Sequence, residues 1–465
     1  MHDPVEKLRA DGWAVATHEG RWFPLGLFAA VAEALDTCTA DFPEKEEALS
    51  ILTRPGRDDT KFRVVLLLLE RAPLAVRLTD VDLNRDADGF ADPSFEEAID
   101  RMRAAADTGR VFVEEAPAPR EAPPLDGLSD QETETLLQVA LATFPLRERD
   151  VAAVVDGYPA GTTAGLVEKG LLEQRPDGVV VPRHIAEALA PRQGERRDDR
   201  HERAITMHYG NIRSGDRSYR DYVAVTRHLA QVDGMGDLTK FALDVTKRSR
   251  DLAGAALLGE VVAVVPAGNG HYLPLRERQI TTLIALGFPK AAREAGRRTL
   301  RDVSAWAETY PERDPARFCL GAAHNIYGVA LLNDGDPAAA EPIFTRTVDI
   351  YHELCAEHRT SIEAHRRLGW ALEHLGDVYL NLDGVDEDDL LRTLAECVHV
   401  RSQLFEASPD PDTALAASNA LKRLAEHSDP DNAARFRGTR LAMLTAMAAA
   451  HPDDEDLLAE LADAR

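Results

Sequence analysis

Cysteine is scarce. Cys38, Cys319, Cys355 and Cys397 are the only four in 465 residues, and no two stand in C-x-x-C spacing. That pattern argues against a thiolate metal site or a disulfide framework, and buried free thiols are expected. Long apolar runs are missing as well. None reaches the roughly 18 residues that a membrane span needs. The opening stretch MHDPVEKLRADGW carries charges where a signal peptide would be apolar, so a cytoplasmic location is expected. Positive charge is in short supply: 54 Lys and Arg face 80 Asp and Glu, a formal net charge of −26. Such a surface repels phosphate backbones, so nucleic-acid binding by the whole chain is not expected, although a local basic patch stays open. No H-E-x-x-H and no G-x-S-x-G occurs. The dipeptide Gly-Lys is absent altogether, which removes the phosphate loop G-x-x-x-x-G-K-[ST]; GMGDLTK at 234–240 has the wrong spacing.

What is present is ordinary globular composition, 44% hydrophobic and 29% charged, in a chain long enough for two to four domains. Three stretches differ in periodicity, and together they give a mainly α fold class. Residues 1–125 alternate helix and strand patterns, as in a parallel sheet covered by helices. APLAVRLTD reads as a buried strand that ends on Asp80 and Asp82. Asp92 and Pro93 suit the N-cap and first turn of the helix that follows. The Pro-rich APAPREAPP at 116–124 marks a boundary. Residues 126–192 read as three short helices, a hairpin around Pro176-Asp177-Gly178 and a closing helix, the order of a winged helix. Ser129 and Glu132 have capping-box spacing. From about residue 200 to 465 the strand signals vanish and helix follows helix. Gly328, Leu331, Ala340 and Phe344 have tetratricopeptide spacing, and Leu372, Leu375, Gly376 and Tyr379 repeat its first half before a longer turn. An α-solenoid is therefore expected at the C-terminal end.

The order of parts resembles a STAND signalling NTPase of the actinobacterial kind, in degenerate form. The stretches that carry the resemblance are APLAVRLTDVDLNRDADGFADPSFEEAIDRMRAAADTGRVFVEEA, PLDGLSDQETETLL and LVEKGLLEQRPDGVVVPRHIAEAL. The resemblance implies a nucleotide domain, a winged helix and a tetratricopeptide array. It also implies that a histidine of the winged helix touches the nucleotide phosphates, which by position is His184. The family's phosphate loop precedes the acidic strand by one strand and helix, so here it is either lost or lies upstream of Met1. A sheet without that strand has an open central edge, expected to be covered by a helix, by the repeats or by a second copy.

Two functional classes follow. In the first, the chain is a non-catalytic scaffold, without cofactor, whose repeat array binds a protein partner, either a helix or an extended peptide. Asn325, Tyr327, His374, Tyr379 and Asn419, from the first helices of the pairs, are the groove candidates. In the second, ADP or ATP, with Mg²⁺, sits between the α/β module and the winged helix, against Asp80, Asp82 and His184, and switches the arrangement. A transcription regulator that uses the winged helix is a third reading, disfavoured by the single lysine and two glutamates of GTTAGLVEKGLLE. Homo-oligomers stay open, and no membrane partner is expected. His358 and His365 share a helix face without an acidic third member. DGVDEDD lacks calcium-loop spacing.

Overall fold

The computed structural model describes residues 4–54, 57–86, 89–90, 92–107, 109–115, 123–175, 177–214, 219–232, 234–247 and 251–465. The chain is mainly α and divides into two compact units, Met1–Pro266 and Ala267–Arg465, each taken here by itself.

The first unit opens with α1 (Pro4–Ala10), β1 (Ala14–Glu19), α2 (Pro24–Thr37), α3 (Lys45–Thr53), α4 (Asp58–Arg71) and β2 (Leu74–Thr79). The two-residue strands β3 (Arg85–Asp86) and β4 (Gly89–Phe90), then α5 (Pro93–Ala105) and β5 (Arg110–Val113), complete the α/β part. Helical crossovers between successive strands force parallel pairing, and the sheet has the order β1-β2-β5. Central β2 is covered on both faces: Leu74, Ala75, Val76 and Leu78 are fully buried. Asp92 caps α5 through a 2.9 Å hydrogen bond from the Ser94 amide, with Pro93 in the first turn as expected. Among the described residues β5 pairs with β2 alone. Its Arg110 is exposed and Val111, Phe112 and Val113 are half-buried, so the expected cover over this edge is only partial. Shortness is what limits the exposed edge.

The next segment has α6 (Asp130–Ala140), α7 (Glu148–Val154), α8 (Thr162–Glu168), the hairpin β6 (Glu173–Arg175) and β7 (Gly178–Val180), and α9 (Arg183–Leu189). Most of the Pro-rich connector, 116–122, and Pro176 of the hairpin turn lie outside the described residues. Ser129 and Glu132 form the expected capping box: the Glu132 amide donates to the Ser129 hydroxyl (3.2 Å), and the Ser129 amide donates to the Glu132 carboxylate (2.9 Å). Leu136, Val151, Leu166, Val179 and Ile185 make a core shared by helices and hairpin.

The helices α10 (Arg197–Ser214), α11 (Tyr219–Leu229), α12 (Met235–Thr246) and α13 (Leu252–Val264) belong to this first unit. The expected repeat region, 200–465, therefore begins later, after Pro266. The reason is visible in α13. It is apolar on every side, with Leu252, Ala255, Leu258 and Val261 all buried, and such a helix must be covered all round. It packs on α2, α4 and α5, and the Asp58 carboxylate accepts the Ala253 amide at 3.2 Å.

The second unit is a helical array: α14 (Tyr272–Ala285), α15 (Pro289–Glu308), α16 (Asp314–Asn333), α17 (Pro337–Glu357), α18 (Ile362–Asn381), α19 (Glu387–Ala407), α20 (Pro411–Glu426), α21 (Pro430–Ala450) and α22 (Glu455–Ala464). Each helix packs on the next. First helices also touch one another, α14 against α16 and α16 against α18, which makes them the inner layer. Gly328 lets α16 meet α17, because a Cβ there would come 2.6 Å from Phe344 Cζ. Gly376 plays that part for Leu394, at 3.1 Å, two positions further along the chain than Phe344 is from Gly328. The longer turn of the second pair accounts for the offset. Within that turn Asp386 caps α19 by accepting the Asp388 amide at 3.0 Å. Gly328→Val should destabilise the protein by about 1–3 kcal/mol, because Phe344 is fully buried and has little room to yield. Urea denaturation followed by circular dichroism measures it.

Candidate functional site

Parallel strands direct their carboxyl ends to one side of a sheet, and that side is where open α/β sheets place their crevices. In the first unit this crevice is a cleft of about 2280 Å³. It is larger than the usual small-molecule pocket of roughly 300–1,000 Å³. The ends of β1 and β2 form its floor, α9 and the hairpin β6–β7 one wall, and α10, α11 and α13 another.

The floor is built by two turns tied together. After β1, Gly20 takes φ +85° and releases the chain into Arg21-Trp22-Phe23 and then α2. After β2, Asp80 takes φ 55° and leads into the single 3₁₀ turn Val81–Asn84. Asp is one of the few side chains that tolerate this left-handed conformation. Asn84, buried, joins the turns: its carbonyl accepts the Trp22 amide and its side-chain amide donates to Gly20 O at 3.0 Å. Trp22 in turn stacks on Phe95 with ring centroids 4.7 Å apart. Sequence reading passed over Asn84, because a contact 62 positions away has no local signature.

The acidic strand end meets an arginine. Arg183, the first residue of α9, lies with Nη2 2.9 Å from Asp82 Oδ2 and Nη1 3.5 Å from Asp80 Oδ1. It also reaches Glu187 one turn on, at 2.9 Å. Arg175 of β6 makes a parallel link to Glu19 at the end of β1, at 3.0 Å. Burial, and then the neighbouring Glu19, push the Asp80 carboxyl above its ordinary value despite Arg183. His184 lines the same cleft. The structure thus brings Asp80, Asp82 and His184 to one cleft, with the adjacent Arg183 on the two carboxylates.

Does this arrangement fit Mg²⁺? A hard cation needs open carboxylate oxygens, and a phosphate loop brings a lysine and a glycine-rich cradle beside them. The guanidinium of Arg183 already supplies positive charge to Asp80 and Asp82, and no lysine is among the cleft-lining residues described. The residues present do not fit the ion.

A second group stands on the opposite wall. His201 and His228, both nearly fully buried, approach Nδ1 to Nδ1 at 2.8 Å. One ring must donate and the other accept, so at most one of the two Nδ1 atoms carries the shared proton. The Nε2 atoms of both are buried without a hydrogen-bond partner among the described residues. His208 stacks on His228 at 5.9 Å between centroids and binds Asp221 through Nδ1 at 2.7 Å. Arg227 forms a fork–fork pair with Glu260, both bonds at 2.6 Å.

In the array, the groove candidates are found in different settings. Asn419 is exposed on α20. Asn325 of α16 is half-buried, and its carbonyl oxygen has no partner among the described residues. Tyr327 packs on Gly296 of α15, His374 lies with its ring 5.3 Å from that of Phe344, and Tyr379 packs on the array's hydrophobic core. These last three wedge between helices. Trp370 and Leu380 of α18, which sequence reading left aside, are 39% and 41% exposed. Arg367 lies over the Trp370 ring at 5.2 Å and within electrostatic reach of Glu277 on α14, which marks this as the inner layer.

Asp314, Glu357 and His358 cluster in the second unit, but Arg317 already sits 2.5 Å from Glu357, so they form an ion-pair network. His358 bonds Asp314 at 2.7 Å and His365 engages Ser361 O at 2.8 Å, so the two histidines have separate partners. All four cysteines are free. Cys397 is buried and the others are half-buried. No helix among the described residues is long and apolar enough to cross a membrane.

No protein family and no curated protein matches the chain. Among solved structures it is similar to the crystal structure of a Signal Transduction ATPase with Numerous Domains (STAND) protein with a tetratricopeptide repeat sensor from Pyrococcus horikoshii. That similarity has 10% identity, spans 100% of this chain and 80% of the other, and has a TM-score of 0.38.

The buried histidines set a pH dependence. Burial holds His18 and His201 down to about 4 and His228 down to about 3, below the ordinary 6.5. In the unfolded chain they take up protons first, so stability is full above pH 6.5 and falls as pH drops from 6.5 toward 4. Each histidine contributes roughly 1.4 kcal/mol per pH unit over that window. Denaturation midpoints measured from pH 7.5 to 4.5 should fall, and His18→Gln should flatten the slope.

Proposed function

We propose that the chain is a non-catalytic regulatory protein that binds a protein partner, a helix or an extended peptide, on the inner layer of its helical array. One observation carries this reading: the two carboxylates with the position and chemistry for a nucleotide metal, Asp80 and Asp82, are held by Arg183. The strand end then works as a fastening for α9, and the useful surface shifts to the array. There Trp370 and Leu380 offer the large exposed apolar side chains that peptide-binding grooves use as anchors. The N-terminal module and the winged-helix segment serve as a regulatory unit. Lys169, the lone lysine of GTTAGLVEKGLLE, is paired with Glu132 at 2.5 Å, so the segment has little charge to offer DNA.

A second reading has its own support. Asp80, Asp82 and His184 line one cleft, where ADP or ATP could act as the switch ligand by displacing Arg183. Isothermal titration with ADP and ATP, with and without Mg²⁺, separates the two. The first reading expects no micromolar binding. Micromolar binding that is lost in His184→Ala would replace it with the second. A photo-crosslinking residue placed at Trp370 should capture a partner in cells of the source organism, and the same residue on exposed Arg437 of α21 should not.

A further inference from the structure

Two arginines of the cleft, Arg21 and Arg197, form no ion pair with a described carboxylate, which is unexpected in a chain of net charge −26. The backbone of Arg21, in the turn before α2, bonds the His18 ring, but its guanidinium makes no hydrogen bond or ion pair with any described residue. Its guanidinium is open to solvent yet ringed by protein, because it lies inside the cleft. Partial burial and the nearby Arg227 lower its pKa, against the opposing pull of Glu260, which is also within electrostatic reach. Arg197 also lines the cleft, and its partner among the described residues is the neutral Gln231, at 2.7 Å. Arg227 stands within electrostatic reach of both Arg21 and His228, with Glu260 as its own carboxylate. His201 and His228 add two buried Nε2 atoms without partners among the described residues, one of them necessarily an N–H if the pair shares its Nδ1 proton.

The guanidiniums and the one Nε2–H of the histidine pair call for an acceptor, and buried polar groups are rarely left unsatisfied. We infer that Arg21, Arg197, Arg227, His201 and His228 form a binding site for a small oxyanion, the phosphate or carboxylate group of a metabolite. Planar guanidiniums suit either group through paired N–H···O bonds. The site shares the cleft with Asp80, Arg183 and His184 but is made of other residues. It makes the first unit a sensor of a small acid whether or not that other end takes a nucleotide.

The test uses the full chain with inorganic phosphate and malonate as probes, in isothermal titration and thermal shift. Phosphate binding alone identifies a phosphoester-type ligand, malonate binding alone a carboxylate, and either supports the site. Arg21→Gln and Arg197→Gln, which remove no described ion pair, should fold as the parent does by circular dichroism. Each should weaken binding about tenfold or more. His184→Ala should leave it unchanged. Failure of both anions to bind at millimolar concentration overturns the inference. So does binding that survives both arginine changes, or binding that is lost in His184→Ala instead.

Discussion

The contact of Arg183 with Asp80 and Asp82 decides how the first unit is to be understood. Two carboxylates at the end of a buried parallel strand form an electrostatic problem, worsened here by Glu19 on the neighbouring strand. Two solutions are open to a protein: bind a metal ion, or bring a fixed cation. This chain brings the cation from α9, and Arg175 repeats the device for Glu19. The charge that would otherwise repel is spent on holding the three-helix-and-hairpin segment against the sheet. Such half-exposed pairs are individually weak, about 0–1 kcal/mol, so their value lies in orientation and in being displaceable.

Around that fastening the cleft is unequal. Its floor is rigid, because Asn84 ties the two strand-end turns and Trp22 stacks behind them on Phe95. The far wall is polar and incompletely satisfied, with the His201–His228 pair and Arg197, whose partner among the described residues is Gln231, and the Arg21 guanidinium faces it from the floor turn. An anion there would complete a network that the fold leaves open. The helical array has the opposite character: Gly328 and Gly376 allow close helix contact, Phe344 and its neighbours fill the core, and what remains at its inner layer is a few large exposed side chains.

Much of this architecture could be read from local pattern. Alternation around Leu74–Leu78 gave β2, the caps at Asp92 and Ser129 stood where spacing put them, and the Gly328–Phe344 spacing gave the packed helix pair. Three residues named from sequence, Asp80, Asp82 and His184, do share one cleft. What was not legible depends on distance along the chain. Arg183 is about a hundred positions from the carboxylates it holds, and the histidine pair joins two helices whose sequences show only isolated histidines. The limit of the repeat array was also hidden, because α10–α13 are helical like the repeats and differ only in what they pack against. Among the groove residues, helical register alone could not separate side chains that face outward from those, such as Tyr327 and His374, that wedge between helices.

If Arg183 is the fixed cation for the acidic strand end, the two are energetically coupled without any contribution from a metal ion. A double-mutant cycle of Arg183→Ala and Asp82→Ala, read by chemical denaturation with and without millimolar Mg²⁺, tests it most directly. A favourable coupling of about 0.5–1 kcal/mol, the same in both conditions, is expected. A coupling near zero, or stabilisation of the parent protein by Mg²⁺ that disappears with Asp82→Ala, would contradict it.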